Sequence, residues 1–164
     1  MDLLRTKGNF MDSYAPLSSY APQSSRSRPR VSAAILRQNG DEDEVLMVQH
    51  CRRDGTLYWQ LPGGGLENGE TEEQGILREL FEETALQGRI IRWLFSIPYR
   101  YGSSTTFLVE IEAGAEAILG SDPEEEDLDH QKLVGVAWKS LSEMQESPEV
   151  RVVTFVLSYL HNLS

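Results

Sequence analysis

The sequence predicts an α/β/α sandwich over about residues 30–163 of a 164-residue chain. Three observations predict it. Short β-branched and aromatic runs are bounded by Gly, Asn and Asp clusters, as strands are. A helix-period segment follows the glycine-rich break at Pro62–Gly65. A second apolar stripe at helical spacing closes the chain, so helices flank the strands on two sides.

Residues 1–28 read as a tail and residues 29–164 as the folded domain. Ser13–Ser27 is rich in Ser, Pro and Tyr and has no apolar periodicity, and the stretch ends in the basic residues Arg26, Arg28 and Arg30. Met11 is a candidate alternative start. In the body, Val31–Gln38 reads as a strand and Asn39-Gly40 with the acids 41–44 as a turn. Val45–His50 is a second strand, and Leu57–Leu61 is a short one leading into the glycines. Thr71 caps a helix running to about Leu86, with Glu72 and Glu73 in its first turn, where the helix dipole favours acids. Arg89–Ile97 and Thr105–Glu112 read as strands joined by a turn at Tyr101-Gly102-Ser103, and Leu133–Trp138 as another. Val150–Leu163 carries Val152, Phe155, Val156, Tyr159, Leu160 and Leu163 on one stripe, which should pack on the sheet.

The segment Gly64–Leu86, GGLENGETEEQGILRELFEETAL, is the part that ordinary folding does not require. Seven carboxylates stand in it. Glu79, Glu82 and Glu83 fall within roughly a 100° arc of one helix, so three anions share a face. Glu82 and Glu83 also sit at the negative end of the dipole. A run of Glu on a helix is most often a solvated face, and Arg78 can pair with Glu82 four residues on. Against that reading, Ile76, Leu77, Leu80, Phe81 and Thr84 form an apolar arc beside the acids, which sets them at the margin of a core. Gly75 lies on the acidic face, where it costs about 1 kcal/mol against Ala, as if space were needed there. A divalent cation would compensate the clustered charge.

The order of these residues resembles the Nudix hydrolase signature. Gly64, Glu70, Arg78, Glu79, Leu80, Glu82, Glu83 and Leu86 meet it, and Trp59-Gln60-Leu61-Pro62-Gly63-Gly64 matches the usual lead-in. Ala85 stands where the family has a glycine that ends the helix in a left-handed conformation. Gly88 is expected to take that role a turn later. The resemblance implies the Nudix sandwich with a mixed central sheet and a metal-dependent pyrophosphohydrolase. It also implies Mg²⁺ or Mn²⁺ held by Glu79, Glu82 and Glu83 with the backbone carbonyl of Gly63.

That inventory suits phosphoanhydride cleavage. Hard cations take carboxylate oxygens, water and substrate phosphates, and no side-chain nucleophile is needed. His50, His130 and His161 are too scattered to suggest zinc. Glu79 is one candidate general base, because crowding by Glu82 and Glu83 raises its expected pKa. Glu126, in the acidic run Asp122–Asp129 where relatives often place a catalytic acid, is the other. Arg52 and Arg53 are candidate phosphate contacts, and Trp59, Tyr99 and Tyr101 candidates to stack a base, although packing is the commoner role for such aromatics. The family's downstream substrate markers, a Pro or a Tyr, fall on Gly102 and Ser103 here, so neither is present. A Nudix-fold module that binds a nucleotide without turnover is the alternative. Such a module is expected to have lost box carboxylates, and this chain keeps them.

Composition narrows the partners. Residues 1–30 carry five basic and two acidic side chains, leaving ten basic against 24 acidic in the rest, within a formal net charge of −11. A body that acidic repels long nucleic acids, while a small nucleotide substrate remains compatible if a metal bridges the charges. No apolar run is long enough to span a membrane. The single cysteine, Cys51, fits a reducing compartment, and a cytoplasmic monomer or homodimer is the expectation.

Overall fold

A computed structural model describes residues 28–99, 102–121 and 132–162. Eight strands and two helices are found among them: β1 (Arg30–Ala34), β2 (Leu36–Asn39), β3 (Glu42–Cys51), β4 (Leu57–Gln60), β5 (Gly63–Gly65), α1 (Glu72–Thr84), β6 (Gly88–Tyr99), β7 (Gly102–Ile111), β8 (Lys132–Ser140) and α2 (Pro148–His161). They form two four-stranded sheets. One has the order β5-β1-β7-β6 and is mixed, since β1 and β7 run parallel. The other is antiparallel throughout, with β3 between β2 or β4 on one edge and β8 on the other. Two apolar clusters lie on opposite faces. Val31, Ala33, Ile35, Leu46, Phe107 and Val109 pack with Ile76 and Leu80 of α1. Ala34, Val45, Met47, Leu61, Leu94 and Phe95 pack with Val150 and Val153 of α2. The architecture is the α/β/α sandwich.

Several boundaries differ from the sequence reading, each for a tertiary reason. Val31–Gln38 is two strands, not one. The break is at Ile35, whose carbonyl accepts from Leu46 N–H at 3.0 Å, and the chain there passes from the mixed sheet into the antiparallel one. The acids Glu42–Glu44 belong to β3 rather than to the turn, because Arg37 Nε donates to Glu44 at 2.6 Å across the hairpin and Asn39 Nδ2 at 3.2 Å. Gly63–Gly65, read as a break, is an edge strand paired with β1.

α2 begins earlier than its apolar pattern, at Pro148, with Ser147 capping Val150 N–H. Its packed side is rotated from the expected stripe. Val150 and Val153 are buried while Phe155 and Tyr159 are 72% and 59% exposed. The helix is apolar on most sides, so the sheet selects which side is covered. On α1, Ile76, Leu80 and Thr84 are buried as expected, but Leu77 and Phe81 face outward. No helix among the described residues is long and apolar enough to cross a membrane.

Candidate active site on the glutamate helix

The backbone before α1 is pinned at both ends. Ala33 N–H donates to Pro62 O at 2.8 Å and Leu66 N–H to Pro29 O at 2.9 Å, which lays β5 alongside β1. Arg28 Nε reaches Leu66 O at 3.4 Å, and Tyr99 OH donates to Arg28 O, so the body engages the chain from Arg28 onward. α1 then starts in a capping box. Gln74 N–H donates to Thr71 Oγ1 at 3.2 Å, and Thr71 N–H to Gln74 Oε1 at 3.0 Å. The helix ends on Ala85 itself, with φ 58° and ψ 12° and its N–H on Phe81 O. Gly88 does not supply the left-handed residue; it opens β6. Ala85 thus keeps the conformation of the glycine it replaces.

The carboxylates lie deeper than the margin of a core. Glu79 is 2% exposed and Glu83 1%, one helical turn apart on one face. Their carboxylates meet the glycine strand. A side chain on Gly64 would put its Cβ 2.5 Å from the Glu79 carboxyl carbon, so only glycine leaves that space. Gly63 N–H donates to Glu83 Oε2 at 2.8 Å. Gly75 leaves room for a different neighbour, since a Cβ there would stand 2.3 Å from Leu66 Cδ2 and 3.1 Å from Glu70 Oε2.

Arg78 supplies the positive charge. Its Nε and Nη2 grip Glu70 at 2.8 and 2.9 Å, Nη1 donates to Glu79 Oε1 and to Glu82 Oε2 at 2.9 Å each, and Nη2 also reaches Gly65 O at 3.0 Å. One guanidinium therefore spans three acids and the glycine strand, a geometry that its planar fork permits and an ammonium does not. These bonds, chiefly to Glu70, hold the guanidinium proton well above the ordinary range, and the same contact holds the Glu70 carboxyl below its usual value. Glu70 is a residue the signature contains but whose role the sequence did not disclose. Its position eight residues before Arg78 is closed up by the turn at Glu67–Glu70.

Two further buried titratable groups were missed, one beside Glu83 and one at the start of α2. His50, 3% exposed, accepts from Gln60 Nε2 at 2.8 Å, and its Nε2 is 3.6 Å from Glu83 Oε1. The period-2 pattern Leu46, Val48, His50 on β3 is the signal that places it on the α1 face. Glu149, at the start of α2, accepts from Leu61 N–H at 3.3 Å, and burial pushes its carboxyl up.

Arg52 and Arg53 are exposed in the turn after β3, with the Arg52 guanidinium 4.8 Å from the Tyr58 ring centroid. Trp59 packs on the α2 side, with Lys139 Nζ 5.0 Å from its ring centroid. Tyr101 and Glu126 lie outside the described residues.

The donor set is one a hard cation takes: carboxylate oxygens beside a glycine backbone, without thiolate. In the arrangement described, Glu79 and Glu82 are turned onto Arg78, and no three His, Cys, Asp or Glu among the described residues converge as a ligand group.

Comparison with known proteins bears on this site. The NAD-capped RNA hydrolase NudC of Photobacterium profundum is 33% identical over 118 residues, 71% of this chain and 40% of that protein. The RNA pyrophosphohydrolase of Actinobacillus succinogenes is 41% identical over 69 residues, 42% of this chain and 32% of that protein. The chain spans less than half the length of these relatives. Among solved structures, the NUDIX domain of Shewanella oneidensis NrtR complexed with ADP ribose superposes with a TM-score of 0.60 at 20% identity, covering 98% of this chain and 100% of that one. A Caenorhabditis elegans Ap4A hydrolase gives 0.59 at 18% identity, covering 82% and 97%. At these identities the structures show a shared fold. The family model of the NUDIX domain matches residues 27–154, which takes in both sheets and the glutamate helix, so the chain belongs to the Nudix hydrolase family.

Proposed function

We propose that this chain is a divalent-cation-dependent hydrolase that cleaves a phosphoanhydride bond in a nucleoside diphosphate linked to another moiety. The observation that carries the reading is the pair Glu79 and Glu83, buried to 2% and 1% exposure one turn apart against a glycine strand. Burying two carboxylates side by side costs several kcal/mol unless positive charge meets them. Arg78 answers part of that need, and Mg²⁺ or Mn²⁺ held by Glu79, Glu82, Glu83 and the Gly63 carbonyl answers the rest. When bound, the cation would neutralise diphosphate charge and activate water. Arg78 orients Glu79 and Glu82 and, through Glu70, ties α1 to the turn before it. Glu79 is the preferred general base, with Glu126 the competing candidate.

NAD, Ap4A and ADP ribose, the groups named for the relatives, share a nucleoside diphosphate extended by a further group, which supports the substrate class. The acidity of the body favours small nucleotides over long nucleic acids. Arg52, Arg53, Trp59 and Tyr101 remain the proposed contacts. The test is a hydrolysis panel of nucleoside triphosphates, nucleotide sugars, ADP ribose, dinucleoside polyphosphates and capped RNA, run in Mg²⁺, in Mn²⁺ and in excess EDTA. Turnover that stops in EDTA and returns with metal is expected. Full turnover in EDTA refutes the reading, and binding of a nucleotide without any turnover supports the non-catalytic alternative.

A further inference from the structure

The last turn of α1 carries Glu82 and Glu83, and its carbonyls have no partners further along the helix. No basic side chain stands in that turn to offset the negative end of the helix dipole. A strap from the far end of β7 does so instead. Ser121, Gly120 and Ile118 donate their backbone N–H groups to Glu82, Glu83 and Thr84 O at 3.1, 2.9 and 2.9 Å. Ala115 and Ala117 pack the strap against the core, while Ile118 and Leu119, at the hydrogen-bonded end, are 65% and 43% exposed. Its contact with the helix is close. A Cβ on Gly120 would stand 1.7 Å from Glu82 O and 2.8 Å from Glu82 C. The φ of Gly120 lies outside the left-handed region, so the demand for glycine shown here is one of space.

We propose that Gly120 is a positioning residue: the strap sets the register of the last turn of α1 and thereby the placing of Glu82 and Glu83 for metal binding. The inference rests on the reading of those carboxylates as metal donors. Three N–H groups in line also cap the carbonyls at the negative end of the helix. With a Cβ on residue 120, strap and helix must part by about 1.5 Å to reach an ordinary carbon–oxygen contact near 3.3 Å.

The experiment is Mn²⁺ titration followed by electron paramagnetic resonance on wild type, Gly120→Ala, Gly114→Ala and Glu83→Gln. Gly114 lies in the same connection at φ +81°, and a Cβ there would meet nothing within 4 Å, so its Ala variant strains the backbone without touching the helix. Gly120→Ala is expected to weaken Mn²⁺ binding about 10-fold or more, the scale for losing a group that orients a metal ligand. Gly114→Ala should leave Mn²⁺ binding at the wild-type value. Equal Mn²⁺ affinity in Gly120→Ala and wild type, or equal weakening in both glycine variants, overturns the proposal. Should Gly120→Ala not fold, amide exchange of wild-type Ile118, Gly120 and Ser121 decides. Linkage requires Mn²⁺ to slow it, and unchanged exchange overturns the proposal. Glu83→Gln keeps the two levels apart. If it binds Mn²⁺ as wild type does, the reading of the carboxylates fails and the proposal with it; if it loses Mn²⁺ while Gly120→Ala does not, only the role of Gly120 fails.

Discussion

Replacing Arg78 by Gln should cost the metal-free protein about 3–5 kcal/mol, because it strands acids that the guanidinium now compensates. The estimate follows from where the partners sit. The Arg78 side chain is 19% exposed, Glu70 12% and Glu79 2%, so two of its four ion pairs are shielded from water, and the one with Glu67, 64% exposed, is not. Glu82, at 26%, adds less. At about 2–4 °C per kcal/mol for a chain of this size, the melting temperature in EDTA should fall by roughly 6–20 °C. A cation bound at the same carboxylates would replace part of the lost charge. Mg²⁺ should therefore raise the melting temperature of Arg78→Gln more than that of wild type, where a metal at a hundredfold its Kd stabilises the protein that binds it by about 2.7 kcal/mol in all. Arg78→Lys should fall between the two, keeping the charge and losing the fork. Urea and thermal unfolding in EDTA and in Mg²⁺ measure all three. A metal-free Arg78→Gln within about 0.5 kcal/mol of wild type, inside the range of ordinary surface substitutions, would refute the account of Arg78 as the counter-charge of this site.

Glu83→Gln keeps the shape and removes a charge, and should lower kcat about 10²–10³-fold at saturating Mg²⁺ on whichever substrate the panel identifies; retention of half the wild-type rate would exclude it as a ligand. Ala85→Gly relieves a left-handed alanine worth about 1–2 kcal/mol and gives back about 0.4–1 kcal/mol through the unfolded chain, so unfolding in urea should show a net gain of roughly 0.5–1 kcal/mol, and a loss would contradict the helix exit described. Glu149, whose carboxyl is pushed up by burial, binds its proton more tightly folded than unfolded. Its effect on stability is most favourable below the ordinary value of 4.5 and is lost as pH rises through the higher folded value. Glu149→Gln should therefore gain on wild type in melting temperature between pH 4 and pH 7, and a constant difference across that range would argue against a shifted Glu149. Deleting residues 1–27, which keeps Arg28 on Gly65 and Leu66, should leave melting temperature and turnover unchanged, whereas a loss of several degrees would show that the segment packs on the domain.

Much of the site was legible because it is written in consecutive residues. Thr71 as cap, Arg78 paired with Glu82, and Glu79 and Glu83 on one face all follow from the 3.6-residue period and hydrogen bonds within four residues. The sandwich was legible for a similar reason, since strand and helix periods and their order along the chain limit how apolar faces can be covered. Element boundaries were less so. The break at Ile35 and the rotated face of α2 depend on which sheet or cluster lies opposite, and an apolar run does not record that.

What the sequence by itself determined is the set and spacing of acids on α1, the glycines before it and the class of fold around them. Only the tertiary structure decided that Glu79 and Glu83 are buried rather than marginal. It also brought Glu70 back onto Arg78, His50 up to Glu83 with Gln60 on its ring, and a strap through Ile118, Gly120 and Ser121 across the exit of the helix. The physical reason is distance along the chain. A helix face and the pairing of Arg78 with Glu82 are set by torsions and neighbours a turn away, but the groups that enclose the acids come from β5, β3 and the segment after β7, and nothing local to α1 encodes which of them will arrive.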